Sequence, residues 1–255
     1  MCDEVIRAVG ARELAKRRSL GEAVKGTKGK LHQVGAAYLA GRLPYDKWLA
    51  RLTVASGEPS EVRAVCREAM THHSSTRERL PILERFFAEA LGALAPISSV
   101  LDIACGLNPL AIPWMPLAPE ARYHGCDIYT DMVQFLNAAL PMLGVQGEIE
   151  ARDVTQSLPE AKADVALILK SLPCIEQMAP SGSARLLREL ECDILLVSYP
   201  VHSIGGRGKG MRLNYEEQFR RLVEGESWEV ERFLFETELA FVVTKNPGQR
   251  RGSEH

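Results

Sequence analysis

Apolar residues recur at helical spacing through roughly the first 95 residues, where no convincing strand pattern occurs. Residues 64–70 suit one face of a helix, and a longer apolar stripe runs from residue 82 to residue 94. Pro81 fits the first turn of this second helix, because a residue there needs no N–H. Ser75 and Glu78 have the spacing of a capping box, which would instead place Pro81 inside a helix. We therefore predict a short capped turn, followed by a helix that begins at about Pro81.

From Ser98 onwards, short apolar runs alternate with stretches of helical periodicity. Seven runs predict strands, at Val100–Ala104, Tyr123–Ile128, Gly147–Val154, Asp164–Leu169, Ile194–Tyr199, Trp228–Phe235 and Leu239–Lys245. Helices are predicted at Asp131–Leu143, Ser181–Leu190 and Tyr215–Glu224. Strand–helix repeats of this kind form a parallel sheet with helices on both faces. The last two strands flank a turn at Glu236-Thr237 and add an antiparallel edge, so the predicted fold class is α/β with a doubly wound sheet.

These two patterns divide the chain into parts. We predict a helical N-terminal subdomain over residues 1–95 and an α/β domain over residues 96–246. Residues 247–255 are expected to form a disordered tail, because chain ends are poorly ordered unless something holds them. We expect the chain to be a monomer.

The composition is that of an ordinary globular protein, with 46% hydrophobic and 25% charged residues. The apolar runs are too short to cross a bilayer, and the N-terminus lacks the apolar core of a signal peptide. None of the six cysteines has the C-x-x-C spacing of a zinc or redox site, so we expect reduced thiols and no metal. Together these features predict a cytoplasmic protein that does not associate with membranes.

Basic residues concentrate near the N-terminus of a chain whose formal net charge is only −2. The segment from Arg7 to Lys30 contains eight basic and two acidic residues and so carries about +6. A local patch of this size can bind phosphates even on a slightly acidic protein. A solvated helix face is the alternative interpretation. The candidate phosphate contacts are Lys16, Arg17, Arg18, Lys25, Lys28 and Lys30.

Acidic residues stand near the ends of the first three predicted strands. The first strand contains Asp102 and runs into a loop with small residues at Ala104 and Gly106, where a ligand can approach the backbone. Asp127 and Asp153 end the second and third strands. A carboxylate at the second position can accept both ribose hydroxyls, and one at the third can accept an adenine amino group. Each Asp alone is also explained by a turn or a helix cap, but together they predict a nucleoside site.

The loop after the first strand lacks the G-x-G-x-x-G pattern that holds a dinucleotide phosphate. S-adenosylmethionine is a nucleoside cofactor without a phosphate, so this absence counts against NAD and favours the sulfonium cofactor. The predicted strand order is also the layout of class I (Rossmann-like) methyltransferases. The predicted cofactor contacts are Asp102, Ala104, Gly106, Asp127, Ile128, Asp153 and Val154.

Four motifs in order resemble the aminoglycoside-resistance 16S rRNA (guanine-1405-N7)-methyltransferases. They are HSSTRERL at residues 73–80, DIACGLNPL at 102–110, LKSLP at 169–173 and SIGGRGKGM at 203–211. The similarity extends from about Lys25 to Lys245. The resemblance implies a class I methyltransferase fold with a helical N-terminal subdomain that docks on RNA. It also implies methylation of guanine N7 in the decoding site of the 30S subunit, which gives aminoglycoside resistance.

The resemblance also implies roles for particular residues. Arg79 would hold the methionine carboxylate of S-adenosylmethionine, and Lys170 would lie beside the cofactor. Arg207 and Lys209, in the glycine-rich loop, would contact RNA. The residues implied in catalysis or base placement are Lys170, Arg207, Met211 and Glu238, with Glu238 stabilising the cationic methylated base.

Guanine N7 carries an in-plane lone pair and no proton, so its methylation needs alignment rather than a general base. The target base lies in a helix and has to be flipped into a pocket. We interpret His72 and His73 as capping or satisfied core residues. Three alternatives stay open, namely a small-molecule substrate, a neighbouring decoding-site base such as an adenine at N1, and cofactor binding without catalysis.

Overall fold

One sheet of seven strands forms the centre of the molecule. The computed structural model describes residues 1–35, 38, 39, 41, 43–201 and 211–246. The strands are β1 (Ile97–Ile103), β2 (Leu117–Asp127), β3 (Gln146–Ala151), β4 (Ala163–Leu169), β5 (Cys192–Pro200), β6 (Glu229–Leu234) and β7 (Glu238–Thr244). They lie in the order β3-β2-β1-β4-β5-β7-β6, with β1 to β5 parallel and β7 antiparallel to both neighbours. This order confirms the predicted doubly wound α/β fold and its antiparallel edge.

All seven predicted strands occur, but some of their ends differ from the prediction. β2 begins at Leu117 rather than Tyr123, and β3 ends at Ala151 rather than Val154. Asp153 therefore lies on the loop that follows β3, so its side chain does not have to point to one face of the sheet. Asp102 is the second-last residue of β1 and not its end.

Ten α-helices occur in the described residues. They are α1 (Asp3–Lys16), α2 (Leu20–Val34), α3 (Tyr45–Ala55), α4 (Pro59–Met70), α5 (Ser74–Arg79), α6 (Leu83–Leu91), α7 (Thr130–Ala139), α8 (Leu172–Met178), α9 (Gly182–Glu189) and α10 (Met211–Val223). α8 was not predicted, because seven residues that begin with Leu172-Pro173 are too few for a clear helical period. Within the part of the chain that the structure describes, no helix is long and apolar enough to cross a membrane.

The capping box predicted at Ser75 and Glu78 is wrong. α5 begins at Ser74, and its N-cap residue is His73, two residues before Ser75, with no side-chain capping hydrogen bond. The Glu78 carboxylate instead contacts Lys170 Nζ at 2.8 Å. Pro81 lies in a 3-10 turn over Leu80–Ile82, and the following helix, α6, begins only at Leu83.

Alternate residues of the central strands pack into two separate layers. In β4, Val165 and Leu167 face the layer that contains α3, α4, α6 and α7. Ala166 and Ile168 face the layer of α8, α9 and α10. Because the first layer also contains residues of β1 and β2, helices α3, α4 and α6 share one core with the sheet.

A helical hairpin of α1 and α2 lies beside the carboxyl ends of β2 and β3. The backbone N–H of Cys2 donates to the carbonyl of Ile128 at 2.6 Å. Val5 and Val9 of α1 pack with Ile128 and Met178, which are close to the end of the sheet. The most basic part of the chain is thereby held next to the edge where parallel α/β sheets bind ligands.

Candidate active site

A cavity opens at the carboxyl ends of β1, β2 and β4. It encloses about 890 Å³, counted with the space open to solvent. Every predicted cofactor residue except Gly106 lines it: Arg79, Asp102, Ala104, Asp127, Ile128, Asp153, Val154 and Lys170. The structure therefore brings together residues that are far apart in the sequence, and their individual contacts with a cofactor stay a prediction.

The loop after β1 is held against the end of β2. Ala104 and Gly106 both have positive φ values, 51° and 52°, which turn the chain sharply. The Gly106 N–H donates to Asp127 Oδ2 at 2.9 Å, and the Tyr129 N–H donates to Asp127 Oδ1 at 3.1 Å. Burial raises the pKa of Asp127, while these backbone N–H groups oppose the rise. Each oxygen keeps a second lone pair with which the carboxylate can accept from a ligand.

Asp153 also has acceptor capacity to spare. Its Oδ1 atom accepts from the backbone N–H and the hydroxyl of Thr155, at 2.9 and 2.6 Å. Its Oδ2 atom is buried and has no hydrogen-bond partner among the described residues. Because a buried polar atom without a partner is costly, this atom favours a ligand that donates a hydrogen bond.

Asp102 faces inward more than the sequence suggested. Its Oδ2 atom accepts from the Tyr123 hydroxyl at 2.6 Å and from Asn108 Nδ2 at 2.8 Å. Burial raises the pKa of Asp102 to about 6, although both hydrogen bonds favour the ionised form. Asp102 thus fixes Asn108, whose Oδ1 atom in turn accepts from Arg79 Nη1 at 2.8 Å. The Oδ1 atom of Asp102 itself is buried with no hydrogen-bond partner among the described residues.

Arg79, Lys170, Glu78 and Glu238 form a buried cluster of ion pairs. Arg79 Nε lies 2.7 Å from Glu238 Oε1, and both side chains are completely buried. Lys170 Nζ lies 2.8 Å from Glu78 and 3.3 Å from Glu238. Burial alone would raise the pKa of Glu238, but Arg79 and Lys170 hold it below its ordinary value. Two cations and two carboxylates thus balance at one wall of the cavity.

Glu238 lies behind the cavity wall. Its side chain is fully buried and does not line the cavity. Its charge is matched by Arg79 and Lys170, at 2.7 and 3.3 Å. The predicted role of Glu238 beside the methylated base stays a prediction.

The backbone at Lys170 has an unusual conformation. Its φ of 59° is left-handed, a region that costs a non-glycine residue about 1 kcal/mol. The Lys170 N–H donates to the Ser198 carbonyl at 3.0 Å, which ties the turn to β5. The turn, together with the ion pairs, aims the lysine side chain back towards α5 and the cavity.

The cavity also contains residues that the sequence did not single out. His73 lines the wall of the cavity. It is not the satisfied core residue that we predicted, because its Nδ1 atom is buried without a hydrogen-bond partner among the described residues. Its place in the HSSTRERL motif was the one available signal. Tyr38, Tyr129 and Cys174 line the same cavity, and no local pattern marks them. Ser171 also lines it and belongs to the LKSLP motif.

The predicted RNA contacts lie on the α1–α2 hairpin. Five of them are exposed: Lys16, Arg17, Arg18, Lys25 and Lys28. A groove between this hairpin and the end of α8 is lined by Arg12, Lys16, Arg17 and Lys30. Met178 lines both this groove and the cavity, so the two are neighbours.

Three predicted residues cannot be placed in the same way. Arg207 and Lys209 lie outside the described residues, and so does the side chain of Met211. The backbone of Met211 begins α10, which follows their loop.

The lining of the cavity fits a nucleoside with a short charged arm, since Arg79 and Lys170 lie at one wall. Apolar surface is supplied by Ile128, Val154 and Leu169. Two buried polar atoms, Asp153 Oδ2 and Ser171 Oγ, have no hydrogen-bond partner among the described residues. With its sheet order, this is a class I methyltransferase, and its cofactor is S-adenosylmethionine.

The model of the ribosomal RNA methyltransferase (FmrO) family matches residues 1–242. The chain belongs to that family, which confirms the resemblance seen in its motifs.

Individual relatives agree with this assignment. The chain is 37% identical over 247 residues to the 16S rRNA (guanine(1405)-N(7))-methyltransferase of Frankia casuarinae, across 95% of this chain and 87% of the relative. A relative of the same name from Micromonospora echinospora is 36% identical, across 94% of this chain and 89% of its own length. The solved structure of the 16S rRNA methyltransferase RmtF with S-adenosyl-L-homocysteine gives a TM-score of 0.81 at 30% identity, covering 96% of this chain and 91% of that one.

The buried histidine makes a testable contribution to acid sensitivity. Burial lowers the pKa of His73 to about 4, so between about pH 6.5 and pH 4 the unfolded chain binds more protons at this residue. Its stabilising contribution is therefore present above pH 6.5 and is lost as the pH falls. Asp102, with its raised pKa of about 6, acts in the opposite sense, so the difference between variants is the useful quantity.

We expect His73→Gln to reduce the loss of unfolding free energy between pH 6.5 and pH 4.5 by about 2 kcal/mol relative to the wild type. Urea titrations at a series of pH values measure this difference. His32→Gln, at an exposed position of α2, is the control for losing an imidazole. An acid sensitivity that His73→Gln leaves unchanged would contradict the assignment.

Proposed function

We propose that this protein transfers a methyl group from S-adenosylmethionine to N7 of guanine 1405 in 16S rRNA, within the 30S subunit. The observation that carries the proposal is a nucleoside-type cavity, at the carboxyl edge of a class I sheet, in a chain that matches a ribosomal RNA methyltransferase family over residues 1–242. Guanine 1405 is the nucleotide given in the names of the relatives. Expression in a susceptible bacterium would then give aminoglycoside resistance.

The order of the strands supports one orientation of the cofactor. Asp153, after β3, takes the adenine amino group, and Asp127, at the end of β2, takes the ribose hydroxyls. Arg79 still has N–H groups beyond those paired with Asn108 and Glu238, and these hold the methionine carboxylate. The buried ion-pair cluster carries no net charge, which suits an amino acid that brings one charge of each sign. In this orientation the methyl group points towards the end of β4.

The reaction requires little proton transfer by the protein. The cofactor supplies a methyl group on a positively charged sulfur, and guanine N7 accepts it with an in-plane lone pair. Two ionisable groups of the cavity are already engaged, since Asp127 accepts backbone N–H groups and Lys170 is paired with two carboxylates. Their work is to hold the reacting atoms in line and exclude water, which can supply much of the rate.

The α1–α2 hairpin supports docking on a structured RNA. Its exposed basic residues lie beside the cavity, so phosphates bound there would bring a neighbouring base to the methyl group. Arg207 and Lys209 stay proposed RNA contacts on the strength of the family resemblance. A ribosomal target implies action in the cytoplasm, and a cavity built from one chain suits a monomer.

The function itself is tested by mapping the modified base. Purified 30S subunits incubated with the protein and labelled cofactor should gain one methyl group, and cleavage at 7-methylguanine should map it to position 1405. Free 16S rRNA is the control for the assembled substrate. A label on a decoding-site adenine would show that the target base is wrong, and unmodified subunits would favour a small-molecule substrate.

We expect Asp127→Asn to weaken S-adenosylmethionine binding roughly 10- to 100-fold, because hydrogen bonds to a charged acceptor contribute about 1.5–3 kcal/mol each. Isothermal titration calorimetry measures the affinity. Asp164→Asn is a matched control, since Asp164 also accepts two backbone N–H groups, from Ser98 and Ser99, but at the opposite edge of the sheet. Equal affinities for the two folded variants would contradict the proposed contact between Asp127 and the ribose.

We expect Lys25→Glu with Lys28→Glu to weaken 30S binding and to flatten its salt dependence. Each lost phosphate contact should reduce the slope of log affinity against log salt by about 0.9. Filter binding at several salt concentrations measures the slope. Arg122→Glu with Lys162→Glu introduces the same charge change in the middle of β2 and just before β4, and should leave the slope unchanged. Equal slopes for the two pairs would make the hairpin a merely solvated surface.

A further inference from the structure

Asn108 lies between two charged side chains of the active site. It begins a 3-10 turn over Asn108–Trp114, in the loop after β1. Its side chain is buried, yet it lines the cavity together with Arg79 and Asp102. The cofactor contacts proposed above do not include it.

The side-chain amide of Asn108 connects a group that only accepts hydrogen bonds with a group that only donates them. Its Nδ2 atom donates to Asp102 Oδ2 at 2.8 Å, and its Oδ1 atom accepts from Arg79 Nη1 at 2.8 Å. Because a carboxylate has no donor and a guanidinium has no acceptor, these contacts determine which way round the amide lies. Tyr123 supports the arrangement, since its hydroxyl donates to the same Asp102 oxygen at 2.6 Å.

Three partners fix the plane of the Arg79 guanidinium. Glu238 lies 2.7 Å from Nε and accepts from Nη2 at 3.1 Å. The Phe86 ring lies against one face, with its centroid 4.9 Å from Cζ. Asn108 holds the remaining nitrogen, Nη1. Of these three partners, Asn108 is the one that lines the cavity, so it sets how the guanidinium faces a ligand.

The contacts of Arg79 leave two N–H groups for a ligand. Each Nη atom carries two N–H groups, and the protein uses one on each, Nη1 with Asn108 and Nη2 with Glu238. The second N–H of each atom has no acceptor among the described residues. Two N–H groups on neighbouring guanidinium nitrogens can donate to both oxygens of one carboxylate. Since Arg79 lines the cavity, a ligand bound there can bring that carboxylate.

The neutral charge of Asn108 matters as well as its position. An amide holds Nη1 without matching the positive charge of the guanidinium. A second carboxylate in the same place would compensate that charge, and a ligand carboxylate would then gain less from Arg79. Because Asn108 lies between them, Asp102 stabilises Arg79 through the amide rather than through an ion pair.

We propose that Asn108 is a positioning residue that directs the two remaining N–H groups of Arg79 at the carboxylate of the cofactor. This inference rests on the proposed function, in which Arg79 holds that carboxylate. It adds the residue that makes the cavity prefer a nucleoside with a carboxylated arm over one without it. When the amide is removed, the Nη1 side of the guanidinium is no longer held, and the two N–H groups no longer face the ligand together.

The test compares two ligands and two substitutions. The ligands are S-adenosylhomocysteine and its decarboxylated form, which keeps the adenosine, the sulfur and the amino group but has no carboxylate. Asn108→Leu removes both hydrogen bonds of the amide at a similar side-chain volume. Asn137→Leu is the matched control, because the Asn137 amide also donates once and accepts once, to the carbonyl and from the N–H of Ile149, and does not line the cavity.

Isothermal titration calorimetry measures the affinity of each protein for each ligand. We expect Asn108→Leu to bind S-adenosylhomocysteine roughly 10-fold more weakly, about the loss of one hydrogen bond to a charged group. The decarboxylated ligand should bind within about twofold of its wild-type affinity, because it has no group for Arg79 to hold. Asn137→Leu should leave the preference for the carboxylated ligand unchanged.

The outcomes separate this inference from the function on which it rests. If Asn108→Leu loses affinity equally for both ligands, or for neither, the positioning role is overturned. A wild type that binds both ligands equally well would overturn it together with the proposed orientation of the cofactor. Unmodified 30S subunits would overturn the proposed function and leave the role of Asn108 in cofactor binding standing. Should Asn108→Leu unfold early in thermal melts, Asn108→Ala provides a second variant without the amide for the same comparison.

Discussion

A buried ion pair between Arg79 and Glu238 joins the helical part of the chain to the last strand of its sheet. Removing water from both charges is costly, and breaking such a pair by removing one partner costs about 3–5 kcal/mol. Two further contacts support the pair, since Asn108 Oδ1 accepts from Arg79 Nη1 and Lys170 Nζ lies 3.3 Å from Glu238 Oε1. Through these contacts α5, the loop after β1, the turn after β4 and β7 are fixed relative to one another, and the cavity lies among them.

The sheet could be predicted because its strands are short apolar runs of a length and spacing that few other arrangements satisfy. The acidic residues at β2 and β3 could be found for the same reason, since strand ends mark the ligand-binding edge. The ion pair of Glu238 could not be predicted, because its partner Arg79 is more than half the chain away in the sequence. Tyr38 and α8 were missed because one isolated aromatic residue and one seven-residue helix leave no periodic signal.

The cofactor cavity and the basic hairpin are physically continuous. The N–H of Cys2 binds the carbonyl of Ile128, which lines the cavity, and the Glu4 carboxylate accepts from the N–H of Asp153 at 3.5 Å. Arg12 reaches the carbonyl of Met178 at the end of α8. A surface suited to phosphates and a cavity suited to a nucleoside therefore share their supporting residues. In a ribosomal RNA methyltransferase family, the two features together suit methylation of RNA.

The left-handed backbone of Lys170 has a cost that its ion pairs outweigh. Glycine or asparagine would adopt this conformation more easily, and the gain would be about 1 kcal/mol. Such a replacement would relax the turn and leave Glu78 and Glu238 with one cation fewer. Because breaking a buried pair costs about 3–5 kcal/mol, a less strained residue at this turn would make the protein less stable.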